Sequence, residues 1–126
     1  MYHDAPASGI ATLAVRDPYN LMAAGGNIGG PAIYTSNIAV TSDGGATWRL
    51  VARPGMSGAI YGSSYVTGMS TPAAVVVSPN GAQYSADNGA SWTSLDSRSY
   101  WAVAFAPNGT GWMVGPQGRI TKIQIR

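Results

Sequence analysis

Few side chains in this chain of 126 residues can carry out chemistry. All five acidic residues are aspartates, since the sequence holds no Glu, and it holds one His and no Cys. The absence of Cys excludes a disulfide framework, a thiolate metal site and a Cys nucleophile. A single His excludes a multi-His zinc site within one chain, and without Glu a two-carboxylate hydrolase would need two Asp. The residues therefore favour a protein that is not an enzyme and that uses no metal or cofactor.

A repeated octapeptide contains two of the aspartates at the same position. Its copies cover residues 41–48 and 85–92, begin 44 residues apart and share the pattern Ser/Thr-x-Asp-x-Gly-x-Ser/Thr-Trp. An Asp two residues before a turn glycine can accept N–H bonds from its own loop, and the glycine permits a positive φ angle. We therefore expect structural turn aspartates, with each Trp beginning the next strand and burying its ring against the sheet. The residues that carry the pattern are Thr41, Asp43, Gly45, Trp48, Ser85, Asp87, Gly89 and Trp92.

Short apolar segments separated by turn signals predict strands throughout the chain. The segments are rich in Val, Ile, Tyr, Trp and Thr, and the turns between them contain Asn-Gly, Asp-Gly and Pro-x-Gly sequences that favour tight hairpins. Long helices are not expected, because 17 Gly and 8 Pro interrupt the chain too often. The expected strands are Ile10–Asp17, Leu21–Gly26, Tyr34–Thr41, Thr47–Arg53, Ala59–Val66, Ala73–Ser78, Ala82–Ser85, Ser91–Leu95, Tyr100–Ala106, Gly111–Gly115 and Arg119–Ile125.

Four predicted strands in each 44-residue repeat are typical of the blade of a β-propeller. The chain is therefore predicted to be all-β, a single partial propeller of about three four-stranded antiparallel blades. Blade 1 is expected over about 9–54, blade 2 over about 58–96 and blade 3 over about 99–126. Blade 3 lacks an outer strand, which residues 2–8 of another chain can supply. The strand aromatics expected in the core are Tyr65, Trp101, Phe105 and Trp112.

The octapeptide resembles the Asp-box, also called the BNR repeat, which occurs in sialidases, sortilin-type receptors and some glycoside hydrolases. A second resemblance is to the last blades of YCF48-like photosystem II assembly factors. It is carried by residues 100–120, which include Tyr100-Trp101, Gly109-Thr-Gly-Trp112 and Gly118-Arg-Ile120. That second resemblance implies a partner protein and not a substrate. Many proteins with these repeats are exported, so the resemblances as a group favour a secreted or periplasmic location over an otherwise unknown one. A sialidase resemblance implies a Tyr–Glu nucleophile pair and three converging Arg, but this chain holds no Glu.

Polar and aromatic side chains collect at one end of the predicted propeller. The loops after even-numbered strands emerge together there, at the end where propellers of this kind hold their ligands. Arg53 and Arg98 occupy equivalent loops of successive blades, and two Arg on one face can clamp a carboxylate or an acidic peptide. The alternative is that both are ordinary solvated loop residues. The candidate ligand residues at this end are Asn27, Tyr34, Arg53, Asn80, Arg98, Tyr100, Gln117 and Arg119.

A partial ring is expected to be unstable on its own. Known propellers close with about four to eight blades, whereas this chain provides about three. A bare blade face of roughly 400 Å² forgoes on the order of 10 kcal/mol of hydrophobic stabilisation. A whole domain is stable by about 5–15 kcal/mol, so one bare face is a large loss. We therefore expect a cyclic homo-oligomer, with a dimer favoured and a trimer as the alternative.

Charge and hydropathy argue against two classes of partner. The net charge is +2 and the basic residues form no run, so nucleic-acid binding is not predicted. The longest apolar stretches are too short to span a membrane. The sequence thus favours a non-catalytic binding or scaffold module that assembles from partial rings and takes a protein ligand on its loops. The alternative is a glycan-binding, lectin-like or sialidase-related propeller, since Trp and Tyr suit sugar stacking.

Overall fold

The computed structural model describes residues 8–27 and 37–125, and within them eleven strands form three antiparallel sheets. Blade 1 contains β1 (Ser8–Val15), β2 (Leu21–Asn27), β3 (Ile38–Thr41) and β4 (Arg49–Leu50). Blade 2 contains β5 (Gly62–Tyr65), β6 (Ala74–Ser78), β7 (Gly81–Ser85) and β8 (Thr93–Asp96). Blade 3 contains β9 (Ala102–Phe105), β10 (Thr110–Val114) and β11 (Ile120–Gln124). Strands neighbour one another in chain order, which confirms the predicted all-β architecture of about three blades.

Strand β4 is much shorter than the predicted Thr47–Arg53. At its beginning, the Thr47 amide donates to Asp43 Oδ1 over 2.9 Å and is therefore used by the octapeptide turn. At its end, the Ala52 amide donates to the Gly89 carbonyl of blade 2 over 3.1 Å. Between these two amides, Arg49 and Leu50 pair with β3, and the Val51 amide donates once more to the Ile38 carbonyl of β3 over 3.2 Å.

Two hydrophobic cores fill the junctions between successive blades. The first lies between blades 1 and 2, and the second lies between blades 2 and 3. Strand β6 contributes to both: Ala74 and Val76 point into the first core, Val75 and Val77 point into the second, and all four are fully buried. This explains its continuous apolar sequence, since a strand that is buried on both faces has no polar alternation.

Each blade has a forward face, which packs on the next blade, and a back face, which packs on the previous one. The strand registers define equivalent positions, and the Tyr61 and Trp101 amides confirm them by bonding to the equivalent Val77 and Val114 carbonyls. The second strand of each blade has two forward positions. They are held by Met22 and Ala24 in blade 1 and by Val75 and Val77 in blade 2. In blade 3 they are held by Trp112 and Val114.

The two outermost faces of the described arc are apolar and exposed. Trp112 is 39% exposed on the forward face of blade 3, beside Val114 and Ile120, although its equivalents in blades 1 and 2 are fully buried. On the back face of blade 1, Leu13 is 54% exposed and Val15 61%. A core position for Trp112 is therefore wrong for the single chain, because no further blade covers that face.

Of the other three aromatic residues expected in the core, two behave as predicted and one does not. Tyr65 is buried between blades 1 and 2, and Phe105 is half-buried against the second core. Trp101 is exposed, because it lies in the connection before β9 and outside the sheet. Burial of an aromatic residue thus depends on which blade face it occupies.

Candidate functional site

The loops of the blades emerge at two ends. At one end, the Gly44 amide of the first octapeptide donates over 3.0 Å to the Tyr19 carbonyl in the loop after β1. We call this the octapeptide end, since loops after odd-numbered strands meet there. At the other end, Asn80 Nδ2 donates over 2.8 Å to the Ser57 carbonyl in the connection between β4 and β5. We call this second end the loop face, and the predicted ligand residues were placed on it.

An ion pair dominates the described part of the loop face. Arg98 Nη2 donates to Asp96 Oδ2 over 2.7 Å, and Arg98 Nε lies 3.1 Å from both carboxylate oxygens. The bonds from Arg98 hold the pKa of the Asp96 carboxyl well below its usual value, and they raise the pKa of the Arg98 guanidinium. The Arg98 side chain remains 56% exposed. The cation is thus fixed in orientation while one edge faces solvent.

Tyr100 lies behind this ion pair and is fully buried, which corrects its expected place on the ligand surface. Its hydroxyl donates to Asp96 Oδ2 over 2.7 Å and lies 2.8 Å from the Thr121 hydroxyl on β11. Arg119 stands 5.8 Å above its ring and donates from Nη1 to the Ser99 carbonyl over 2.9 Å. Tyr100 is buried because it lies between blades 2 and 3, which its hydroxyl joins.

The other predicted ligand residues are distributed over several loops. Arg53 and Gln117 are exposed, and Asn80 is exposed but bonded to Ser57. The backbone of Asn27 ends β2, whereas its side chain and all of Tyr34 lie outside the described residues. The structure therefore brings Arg98, Tyr100 and Arg119 together. A clamp made by Arg53 and Arg98 stays a prediction.

The two octapeptides form matching hydrogen-bond networks. Asp43 Oδ1 accepts from the Thr47 amide over 2.9 Å, and Asp87 Oδ1 accepts from the Ser91 amide over the same distance. The bonds from Thr47 lower the pKa of Asp43 to about 2, and those from Ser91 lower the pKa of Asp87. Both carboxylates act as acceptors for their own turns. The hydroxyl that opens each turn also repeats its role, since Thr41 and Ser85 accept from the amides of Gly45 and Gly89.

The Trp residues of the two octapeptides differ in environment. Trp92 is half-buried, and its Nε1 donates over 2.8 Å to the Ala52 carbonyl of blade 1. Trp48 is 44% exposed, and its Nε1 donates over 3.1 Å to Gly45 in its own turn. The expectation that Trp48 buries its ring is therefore wrong for the single chain. The physical reason is that blade 1 has no described blade before it for the indole to reach.

A cleft of about 440 Å³ lies at the octapeptide end and was missed by the sequence analysis. Val15, Arg16 and Asp17 form one wall, and residues 65–69 form the other. Tyr65, one of these lining residues, donates from its hydroxyl to Asn88 Oδ1 over 2.7 Å, and burial raises its pKa to about 12. The available sequence signal was the Asp17-Pro18 turn, which predicts a loop but not a cavity.

Neither a metal site nor a membrane-spanning helix is found in the part of the chain that the structure describes. No three His, Asp or Glu side chains of residues 8–27 and 37–125 come close enough together to hold a metal ion. Over the same ranges, no helix is long and apolar enough to cross a membrane.

Comparison with solved structures connects this fold to propellers. No family model matches the sequence, and no curated protein matches it. YCF48, a β-propeller solved bound to a D1 peptide, is similar over 93% of this chain, with a TM-score of 0.65 and 19% identity. This chain spans 38% of that YCF48 chain. The computationally designed Ika4 protein is similar over 98% of this chain and 95% of its own length, with a TM-score of 0.55 and 13% identity. The chain therefore shares the fold of a β-propeller.

Proposed function

We propose that this chain is a non-catalytic binding and scaffold module whose blades form a closed propeller ring when identical chains associate. The observation that carries the proposal is the exposure of two apolar faces. Trp112, Val114 and Ile120 are exposed on the forward face of blade 3, and Leu13 and Val15 on the back face of blade 1. A large exposed apolar patch is typical of an interaction site.

A second copy of the chain is the partner that fits both faces. Each internal junction joins a forward face to a back face, so a head-to-tail contact between copies would repeat an interface that occurs twice within the chain. Contacts of this type close into rings when the rotation between blades permits it. Two copies give about six blades and three give about nine, against the roughly four to eight of known propellers. A dimer is therefore favoured, and a trimer is the alternative.

The non-catalytic part of the proposal is supported by the described carboxylates. Asp17, Asp43, Asp87 and Asp96 accept hydrogen bonds that hold the pKa of each below the ordinary value of 3.8. A general acid near neutral pH needs a raised pKa instead. These carboxylates are suited to holding loops in place and not to donating protons.

A protein segment is the ligand that we propose for the loop face. The similar structure of YCF48 contains a bound D1 peptide. On the loop face, Asp96 fixes the Arg98 guanidinium through Nε and Nη2, so that Nη1 is available on an exposed side chain. A fixed guanidinium suits the carboxylates of an acidic peptide, and Arg53 is the second cation of the proposed clamp.

We also propose a role for the octapeptides and a fourth strand for blade 3. The octapeptides at 41–48 and 85–92 are Asp-box repeats with a structural role, supported by their matching hydrogen bonds. Blade 3 takes a fourth strand on the open edge of β11, in the place that β4 and β8 hold in the other blades. An unpaired strand edge offers N–H and C=O groups to a partner, and residues 2–8 of the neighbouring copy are proposed as its source. Residues 2–7 lie outside the described residues, whereas Ser8 pairs with Asn27 in its own chain.

A charge on the forward face of blade 3 tests the proposed ring. We expect Val114→Asp to shift the oligomer to single chains of 12.9 kDa in sedimentation equilibrium, because an unpaired charge is strongly unfavourable in an apolar interface. The matched control is Tyr19→Asp, which adds the same charge to an exposed residue in a turn outside both faces. An oligomer that withstands Val114→Asp, or that is lost equally in the control, would show that this face is not the interface.

A further inference from the structure

A hydroxyl group closes the junction between blades 2 and 3 at the octapeptide end. Thr67 Oγ1, just after β5, donates to the Ala106 carbonyl that follows β9, and it accepts from the Gly109 amide over 3.3 Å. One side-chain hydroxyl thus both donates and accepts across the junction. The neighbouring loop also lies close, since a Cβ on Gly68 would be 3.4 Å from the backbone of Asn108.

Asp17 holds the position of Thr67 at the junction between blades 1 and 2. The pairs Val15 with Leu21 and Tyr65 with Ala74 end equivalent ladders, so Asp17 and Thr67 both stand two residues beyond the last paired residue. Asp17 is an acceptor, because bonds from Asn20 and Tyr19 lower its pKa and keep it ionised. A carboxylate without its proton cannot donate to the carbonyl of Val66, the equivalent of Ala106.

The carboxylate of Asp17 is instead directed into its own loop. Asp17 Oδ1 accepts from the Tyr19 amide over 2.8 Å and from the Asn20 amide over 2.9 Å, and both of its oxygens accept from Asn20 Nδ2. The bridge made by Thr67 at the next junction is therefore missing here. The space that it would close is the cleft of about 440 Å³.

The walls of the cleft combine donors, acceptors and apolar groups. Arg16 is exposed, and its Nη2 makes a long bond of 3.3 Å to the Ser70 carbonyl. Asp17 supplies acceptors, Val15 and Met69 supply apolar surface, and Val66 also lines the cleft. The volume lies within the roughly 300–1,000 Å³ of small-molecule sites. A ligand must therefore donate and accept at close spacing and also present C–H groups.

We propose that this cleft binds a small polyhydroxylated ligand, of the size of one sugar ring. One ligand hydroxyl takes the place that the Thr67 hydroxyl holds at the next junction and donates to the Val66 carbonyl. A second donates to the Asp17 carboxylate, and the Arg16 guanidinium donates to the ring oxygens. The C–H face of the ring packs on Val15 and Met69. This site lies at the opposite end from the loop face, so it does not depend on the proposed protein ligand.

The test is a titration of the full chain, labelled with ¹⁵N, with the methyl pyranosides of glucose, galactose, mannose and N-acetylglucosamine. At about 10 mM, well above a millimolar Kd, at least one is expected to shift the amide signals of Arg16, Asp17 and residues 66–69. Cyclohexanol, which has the ring but lacks the array of hydroxyls, is expected to cause no such shifts. A glycan array run in parallel distinguishes a free sugar from the end of a longer glycan as the source.

Arg16→Gln is expected to weaken the binding about tenfold, as the loss of a charge-assisted hydrogen bond does. Lys122→Gln is the control, because Lys122 is exposed on β11 of blade 3 and does not line the cleft. The affinity of this variant for the glycoside should equal that of the unaltered chain. Asp17→Asn, which keeps an acceptor for the loop, should also weaken binding while the amide spectrum stays folded. The proposal fails if no glycoside shifts the cleft amides, if cyclohexanol shifts them equally, or if Arg16→Gln binds normally. None of these outcomes bears on the mass of the oligomer, which tests the proposed function separately.

Discussion

At the scale of residues, four aspartates at the two ends of the blades accept hydrogen bonds that lower their pKa values and so keep them ionised. Asp43 shows this most directly, because bonds from Thr47 and Thr41 lower its pKa to about 2 from the ordinary 3.8. A carboxyl whose pKa is lower in the folded chain stabilises the fold above the unfolded pKa and loses that contribution as the pH falls through the folded pKa. The turn is therefore expected to weaken in acid.

The corresponding prediction concerns the free energy of unfolding between a pH above 3.8 and a pH of about 2. The free energy, measured by urea denaturation, should fall over this interval, and it should fall less in Asp43→Asn, which cannot titrate. Asp17, Asp87 and Asp96 have lowered pKa values too, so part of the fall should remain in the variant. Parallel curves for the two proteins would show that the Asp43 turn does not contribute.

The proposed clamp on the loop face gives a second prediction for single residues. Exchange of both Arg53 and Arg98 for Ala is expected to weaken the binding of a fluorescein-labelled acidic peptide about tenfold, measured by fluorescence anisotropy. The control is Arg49→Ala, which removes the same charge from β4, away from that face. Equal affinities for the double variant and the unaltered chain would leave Arg53 and Arg98 as solvated loop residues.

The sequence predicted the roles of residues within one turn, but it did not predict contacts between residues that are distant in sequence. The octapeptide spacing correctly indicated turn aspartates that could bond to their own loops. Tyr100 was expected on the ligand surface, but it is buried, because its environment is set by β11, which is distant in sequence. The cleft beside Asp17 was also not predictable, since it results from the difference between a carboxylate and the Thr67 hydroxyl at two junctions.

At the scale of elements, blades 2 and 3 are joined by hydrogen bonds of the Tyr100 hydroxyl as well as by an apolar core. The Tyr100 hydroxyl, fully buried, contacts Asp96 on β8 and Thr121 on β11. Tyr100→Phe is expected to lower the free energy of unfolding by about 1–2 kcal/mol, because two half-buried polar partners, Asp96 and Thr121, each lose a hydrogen bond.

Urea denaturation of the Tyr100→Phe variant measures this loss. Tyr61→Phe is the matched control, because Tyr61 is half-buried and the same change there is expected to cost about 0.5 kcal/mol or less. An equal loss of unfolding free energy in the two variants would mean that the hydrogen bonds of Tyr100 do not stabilise the junction.

The strands themselves could be predicted almost completely, because hydrophobic segments between Gly- and Pro-containing turns are local signals. Strand β6 is an example, predicted as Ala73–Ser78 and found as Ala74–Ser78. Strand β4 was predicted too long, since the Thr47 amide bonds within its own turn and the Ala52 amide bonds to Gly89 of blade 2. The second bond joins residues that are distant in sequence, so it cannot be read from a short segment.

At the scale of the whole molecule, two apolar faces remain where successive blades would otherwise pack. Val77 and Val114 hold equivalent positions, but Val77 is fully buried and Val114 is exposed. A bare face of roughly 400 Å² forgoes on the order of 10 kcal/mol of hydrophobic stabilisation, which a small domain cannot easily lose. We propose that association of identical chains restores this contact at both faces.

The mass of the protein in solution tests this account most directly. Light scattering over a dilution series, on a size-exclusion column, should give a constant mass of two times 12.9 kDa, or three times that value for the alternative trimer. A folded monomer at all concentrations would contradict the account, because it would show that the exposed faces of blades 1 and 3 are stable in water without a partner.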